Sequence, residues 1–238
     1  MATSTGVEWR VPVDEDETTA MYEPPSHPPP PQPAAAERQS AVFVCAHGAG
    51  GHMHDRGMLR VAETLRSIGL GVVRFNFVYR EKKSGRPDPM PRLEKCVAAV
   101  VARTRQEIGQ RPLLIGGRSM GGRAASMLAA DGFACDGLLL LAYPLHPAGR
   151  PEQLRDAHLP AITVPVLCFS GTRDALCRRD LMESVLRTVK TNWTMHWLDG
   201  ADHSFHVLKS SGRTDAQVFD EIAAATSSWV RGLPSRKA

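Results

Sequence analysis

A chain of 238 residues, 42% hydrophobic and 23% charged, has the length and apolar content of one globular domain with a large buried core, which excludes a disulfide mini-protein and argues against a multidomain assembly. Its 29 basic and 25 acidic residues leave a formal charge of +4 spread along the whole length, so no basic patch marks a nucleic-acid or lipid-surface partner. Five cysteines, four of them (Cys45, Cys96, Cys135 and Cys168) in apolar stretches, read as small hydrophobes in a reducing compartment.

The N-terminus, MATSTGVEWRVPVDEDE, carries charges where a secretory signal needs an apolar run. Apolar runs such as 137–142 are far short of the roughly 20 residues that span a bilayer. The expectation is therefore a cytoplasmic protein with no membrane partner. Residues 1–40 differ in composition from the rest. They hold two strand-like pieces, Val7–Val13 and 19–22, which could pair as an edge hairpin, and then EPPSHPPPPQPAAAERQS, whose prolines predict an extended polyproline connector.

From residue 41 onward, short β-branched or apolar runs alternate with amphipathic segments. Strands are predicted at 41–46, 71–77, 113–116, 137–141, 166–170 and 192–198. The first predicted helix is capped by Asp55, carries Met58, Leu59, Leu65 and Ile68 on one face, and stops at Gly69. A second starts near Pro91 and runs to Gly109 on a stripe that includes Leu93, Val97, Val100, Val101, Thr104 and Ile108. Two more are expected at 178–190 and 215–229. Such alternation predicts an α/β fold with a mostly parallel central sheet and helices on both faces.

The most informative stretch is LLIGGRSMGGRAASMLAA, in which an apolar strand runs through Gly117-Arg118-Ser119-Met120-Gly121 into a small-residue helix. This is the nucleophile-elbow pattern G-x-S-x-G in its strand-turn-helix setting, which would expose the Ser119 hydroxyl at a helix N-terminus. A serine needs a base, and in this arrangement acid and histidine follow in that order. Asp174 comes just beyond the strand 166–170 and His203 just beyond 192–198, both at the sheet edge where catalytic loops gather. Asp199 and Asp202 are rival acids, but they precede the histidine too closely to face its ring from a separate loop. After the first parallel strand comes His47-Gly48-Ala49-Gly50-Gly51, a glycine-rich turn able to aim a backbone amide into a cleft. Ala49 and Met120 are the expected oxyanion donors.

Several groups admit plainer readings. His52 and His54 beside Asp55 lack further ligands at zinc-like spacing, so no metal site and no organic cofactor is expected. His146 and His206 read as pocket wall or surface rather than bases, and Cys177 lacks an elbow of its own. Arg118, Arg123 and Arg173 read as structural partners, with attraction of a substrate carboxylate as the alternative.

Together AHGAGG, RFNFVYRE, GGRSMGGRAAS, LAYPLHPAGRPEQLRDAHL, SGTRD and DHSF resemble the compact, dienelactone-hydrolase-like α/β-hydrolases. More narrowly they resemble the branch holding the testis-expressed protein and the third subunit of the nonspecific-lethal chromatin complex. The resemblance covers residues 41–238, which it implies are the catalytic domain behind an N-terminal extension, 1–40. It implies that Ser119, Asp174 and His203 are nucleophile, acid and base, in agreement with the residues read on their own, and that HGAGG is the oxyanion loop. Val78 departs from the proline usual in the RFNFPY motif, and Ala175-Leu176 depart from the usual sequence after the acid. Only about two dozen residues join the strands 137–141 and 166–170, too few for a large lid domain. An open cleft walled by Tyr79, Met120, Tyr143 and Leu145 suits short-chain carboxylic esters, hydrolysed through an acyl-enzyme, as a small-molecule substrate. A homo-oligomer is compatible with this reading. A thioesterase or small-peptide hydrolase with the same triad, and a non-catalytic scaffold, remain alternatives.

Overall fold

A computed structural model describes residues 6–27, 40–109 and 111–234. Most of the expected proline-rich connector, 28–39, lies outside the described residues. Eight strands form one sheet in the order β1-β2-β4-β3-β5-β6-β7-β8. They are β1 (Val7–Val13), β2 (Asp16–Glu23), β3 (Val42–Ala46), β4 (Gly71–Phe75), β5 (Leu113–Arg118), β6 (Gly137–Leu141), β7 (Val166–Gly171) and β8 (Trp193–Leu198). From β4 to β8 every neighbouring pair is parallel; β1 and β2 form an antiparallel hairpin, and β2 joins β4 antiparallel at one edge. The central strands β3, β4, β6 and β7 are buried at every position, as their unbroken apolar runs require in a sheet covered on both faces.

Helices α1 (Arg56–Ser67) and α6 (Asp215–Arg231) cover one face; α3 (Met90–Ile108), α4 (Met120–Ala130) and α5 (Arg179–Leu186) cover the other. The stripe Met58, Val61, Ala62 and Leu65 seats α1 on Phe43, Val72 and their neighbours. A further single turn, α2 (Val78–Glu81), follows β4. The connection from β6 to β7 holds only one three-residue 3-10 turn, Leu159–Ala161, so among the described residues no lid covers the site.

Several boundaries differ from the sequence reading for local reasons. The strand expected at 71–77 ends at Phe75, because Asn76 leaves the ladder and Phe77 becomes the residue that starts α2. The strand expected at 19–22 extends to Asp16–Glu23, since it is paired on both sides. The helix expected at 178–190 ends at Leu186. Asp55 precedes α1 but its side chain does not cap it; Oδ2 accepts instead from the His52 amide at 2.8 Å. The side-chain capping box is at Thr214 and Gln217, at the start of α6.

The chain passes from β3 outward to β4, then crosses to β5 on the other side of β3. The loops after β3 and β5 therefore diverge from adjacent strand ends, which is where an open α/β sheet forms a crevice.

Candidate active site

Ser119 sits between the last residue of β5 and the first of α4, at φ 49° and ψ −116°. This left-handed conformation costs a non-glycine residue about 1–3 kcal/mol and persists only when its surroundings impose it. The surroundings are backbone. A Cβ on Gly117 (φ +139°) would lie 2.1 Å from the Ala46 carbonyl oxygen, and one on Gly121 would lie 2.6 Å from that of His47. The elbow therefore packs directly on the end of β3, and the Cβ position of Gly48 comes within 3.5 Å of the Ser119 Cβ.

His203 and Asp174 arrive on the turns after β8 and β7. The Ser119 hydroxyl lies 3.0 Å from His203 Nε2, while His203 Nδ1 lies 2.9 and 3.0 Å from the two carboxylate oxygens of Asp174. Asp174 is buried and also accepts the Leu176 amide at 2.8 Å, which fixes the carboxylate plane. With Nδ1–H donated to that carboxylate, Nε2 presents its lone pair to the serine. The rival acids are engaged elsewhere: Asp199 accepts from the Thr172 hydroxyl, and Asp202 accepts the Ser204 and His206 amides within its own turn. The three predicted residues thus converge from three loops, 84 and 29 positions apart along the chain.

The glycine-rich loop follows β3. Gly51 donates to the Gly48 carbonyl at 3.1 Å, closing a turn with Ala49 exposed in its middle. His47 is fully buried: its Nε2 accepts the Phe77 amide at 3.1 Å, and its Nδ1 lies 2.8 Å from the Gly48 carbonyl. Burial pushes this imidazole down to about 4, so it is neutral near neutrality. Met120, half-buried, opens α4, where the first amides have no intrahelical carbonyl to meet.

The expected pocket walls need correction. Tyr79 is 2% exposed, and Tyr143 and Leu145 are 0% exposed, so none presents surface to a ligand. Tyr79 packs on His47 and Phe77, and Tyr143 donates its hydroxyl to the Arg155 carbonyl at 2.5 Å. Apolar composition beside a site does not distinguish its wall from the core behind it.

Arg118 and Arg173 take structural roles. Arg118 Nη2 donates to the His203 carbonyl at 3.2 Å, with its guanidinium packed against Gly57 and 5.8 Å from the Phe205 ring centre. Burial lowers its affinity for the proton, and among the described residues no carboxylate lies within ion-pair distance of it. Arg173 donates to the Gly200 carbonyl at 3.0 Å. His146, expected at a pocket wall or surface, is buried and joins two loops: its Nε2 accepts the Arg178 amide at 3.1 Å and its own amide donates to Leu176, bracing the turn that carries Asp174. Long-range side-chain-to-backbone bonds of this kind leave no periodic mark in a sequence. Cys177 is buried, its thiol pushed up to about 12, which removes the thiolate a nucleophile needs. His52 Nε2 rests 3.0 Å from Asp55 Oδ1, and among the described residues no cluster of three or more metal-ligating side chains occurs. Nor, among them, is any helix long and apolar enough to cross a membrane.

Residues 39–231 match the sequence pattern of the family described as alpha/beta hydrolase domain. Among solved structures, the fold is similar to an alpha-beta serine hydrolase homologue from Coxiella burnetii, with TM-score 0.73 and 18% identity over 94% of this chain and 99% of that one. It is also similar to a serine hydrolase without lid from Xanthomonas campestris, with TM-score 0.71 and 21% identity over 100% and 99%. A third is dienelactone hydrolase from Anabaena variabilis, with TM-score 0.71 and 18% identity over 97% and 100%.

Proposed function

The chain belongs to the alpha/beta hydrolase domain family, and from that premise we propose that it is a serine hydrolase acting on short-chain carboxylic esters. The observation that carries the reading is the unbroken line Ser119 Oγ, His203 Nε2, His203 Nδ1, Asp174, with each separation at 3.0 Å or less. In the acylation step, Ser119 Oγ attacks the ester carbonyl carbon as its proton passes to His203 Nε2. Asp174 holds the imidazolium that forms. The amides of Ala49 and Met120 receive the carbonyl oxygen as it becomes an oxyanion, each such donor being worth about 10²–10³ in turnover. Collapse of the tetrahedral species returns the proton to the leaving alcohol, and water repeats the sequence on the acyl-serine.

The short connection between β6 and β7 bears on the substrate class. With only a 3-10 turn between β6 and β7, little surface is available to enclose a long acyl chain. Residues 41–238 are read as the catalytic domain, working in the cytoplasm on a small-molecule ester, with neither nucleic acid nor membrane as partner. The narrower branch rests on its motifs alone. The experiment is labelling of the wild type by a fluorophosphonate probe, followed by turnover of matched ester, thioester and amide substrates of graded acyl length. Labelling of Ser119, absent in Ser119→Ala, with the acetyl and butyryl esters turned over fastest, is the expected result. Preference for thioester or amide would reassign the substrate class; an unlabelled, folded wild type would favour a scaffold.

A further inference from the structure

Among residues 48–57, Met53 alone is buried. It is therefore the post on which the loop bearing Ala49 is hung. A buried residue must have both backbone polar groups satisfied, and here no strand ladder supplies the partners. Side chains from β4 and its end do so. The Met53 amide donates to Asn76 Oδ1 at 2.9 Å, and its carbonyl accepts from Arg74 Nη1.

Arg74 is 3% exposed within β4, between β2 and β3, where a guanidinium is costly unless paired. Its pair is Glu23, the last residue of β2: Arg74 Nε donates to Glu23 Oε2 at 2.7 Å. Arg74 thus spans two partners, one edge of its planar fork on the hairpin carboxylate and the other on the loop carbonyl, a geometry that lysine could not copy. Glu23 lies ahead of the segment, 39–231, that matches the family. The rest of the hairpin grips the same place. Thr18 donates its hydroxyl to the Asn76 carbonyl, and the Asn76 amide donates to the Thr19 carbonyl at 3.0 Å.

We propose that Glu23 is a positioning residue for catalysis: through Arg74 and the Met53 carbonyl, the N-terminal hairpin holds loop 48–53 in the shape that aims the Ala49 amide at the oxyanion. This rests on the oxyanion role proposed above. An interaction that matters only when the carbonyl oxygen becomes charged affects kcat and leaves KM in place.

The test uses the full chain carrying Glu23→Gln, with Glu23→Asp as the conservative variant. It reads turnover of a short-chain aryl ester, and inhibition by an aryl trifluoromethyl ketone, which the serine converts to a tetrahedral oxyanion. The expected result is a fall in kcat of about tenfold with KM within about twofold, an equal loss of affinity for the ketone, and partial recovery in Glu23→Asp. Unchanged kcat and ketone affinity, or a lowered melting temperature without either change, would overturn the proposal. Labelling of wild-type Ser119 by the fluorophosphonate separates the two readings. A labelled wild type with an unaffected Glu23→Gln defeats the inference alone, and an unlabelled wild type defeats the hydrolase reading with it.

Discussion

The Phe77 amide donates its proton to His47 Nε2 at 3.1 Å in a fully buried setting, and this bond fixes the imidazole as a neutral acceptor on that side. Nδ1–H is then free to donate to the Gly48 carbonyl, so one ring ties the start of α2 to the start of the glycine-rich loop. Protonating the ring would break the Phe77 bond and bury a charge.

Stability therefore depends on pH through this ring. Burial holds the folded imidazole at about 4, against 6.5 for the exposed group. Above pH 6.5 neither state binds the proton and the site is neutral to stability. As pH falls from about 6.5 to about 4, the unfolded chain takes up the proton first, so stability is lost across that window and then levels off for this group. The loss attributable to His47 is on the order of 3 kcal/mol. His158, also held at about 4 by burial, acts in the same direction. Urea midpoints measured from pH 7 to pH 4 should therefore fall more steeply in the wild type than in His47→Gln; parallel curves would contradict the assignment.

Gly117 and Gly132 make a matched pair for testing the elbow. Both have positive φ, +139° and +87°, but a Cβ on Gly117 would meet the Ala46 carbonyl at 2.1 Å whereas one on Gly132 would meet nothing within 4 Å. Gly132→Ala should cost about 1–2 kcal/mol, from backbone strain alone. Gly117→Ala should cost about 3 kcal/mol or more and separate β3 from β5, taking Ser119 out of register. Thermal melts of the two variants check the difference; equal losses would mean that the close approach carries no energy.

Arg118 separates stability from turnover. It contributes a hydrogen bond to the carbonyl of His203 at 3.2 Å, at the cost of a half-buried guanidinium with no carboxylate in ion-pair distance among the described residues. Arg118→Met keeps the contact with Phe205 and removes that cost, so the melting temperature should hold or rise. The turn carrying His203 loses its tether, and kcat should fall about tenfold, equivalent to about 1.4 kcal/mol. A variant with unaltered kcat would reduce Arg118 to packing.

Much of this arrangement was legible in the residues because it depends on local patterns. The runs before Ser119 and Asp174 are apolar enough to be buried strands, the run before His203 mixes Trp and Met with polar residues as suits the edge strand β8, and a parallel sheet places whatever follows such strands at one rim. The elbow, in turn, needs Gly117 and Gly121 at fixed offsets from the serine. Other features depend on contacts between distant segments, which no spacing encodes. Tyr143 and Leu145 have the composition of a pocket wall and the burial of a core. Asp55 has the position of a cap but turns back to His52. The hold of Arg74 on Met53 joins a strand residue to a loop residue 21 positions away.

Ser119, His203 and Asp174 should behave as one unit. The 3.0 Å contact between Oγ and Nε2 is of use only if the ring is held in the right tautomer, and the ring is so held only by the carboxylate behind it. Ser119→Ala and His203→Ala should each lower kcat for a short-chain aryl ester by about 10³-fold or more, whereas the double variant should fall no more than a few-fold further. Asp174→Asn should be severe as well, because an amide can donate as well as accept and no longer favours Nδ1–H over Nε2–H. Fluorophosphonate labelling should disappear in Ser119→Ala and become slow in His203→Ala, since the serine remains but lacks its base. Near-native turnover by Ser119→Ala, or losses in the double variant equal to the product of the single ones, would show that the three groups do not share a single proton-transfer path.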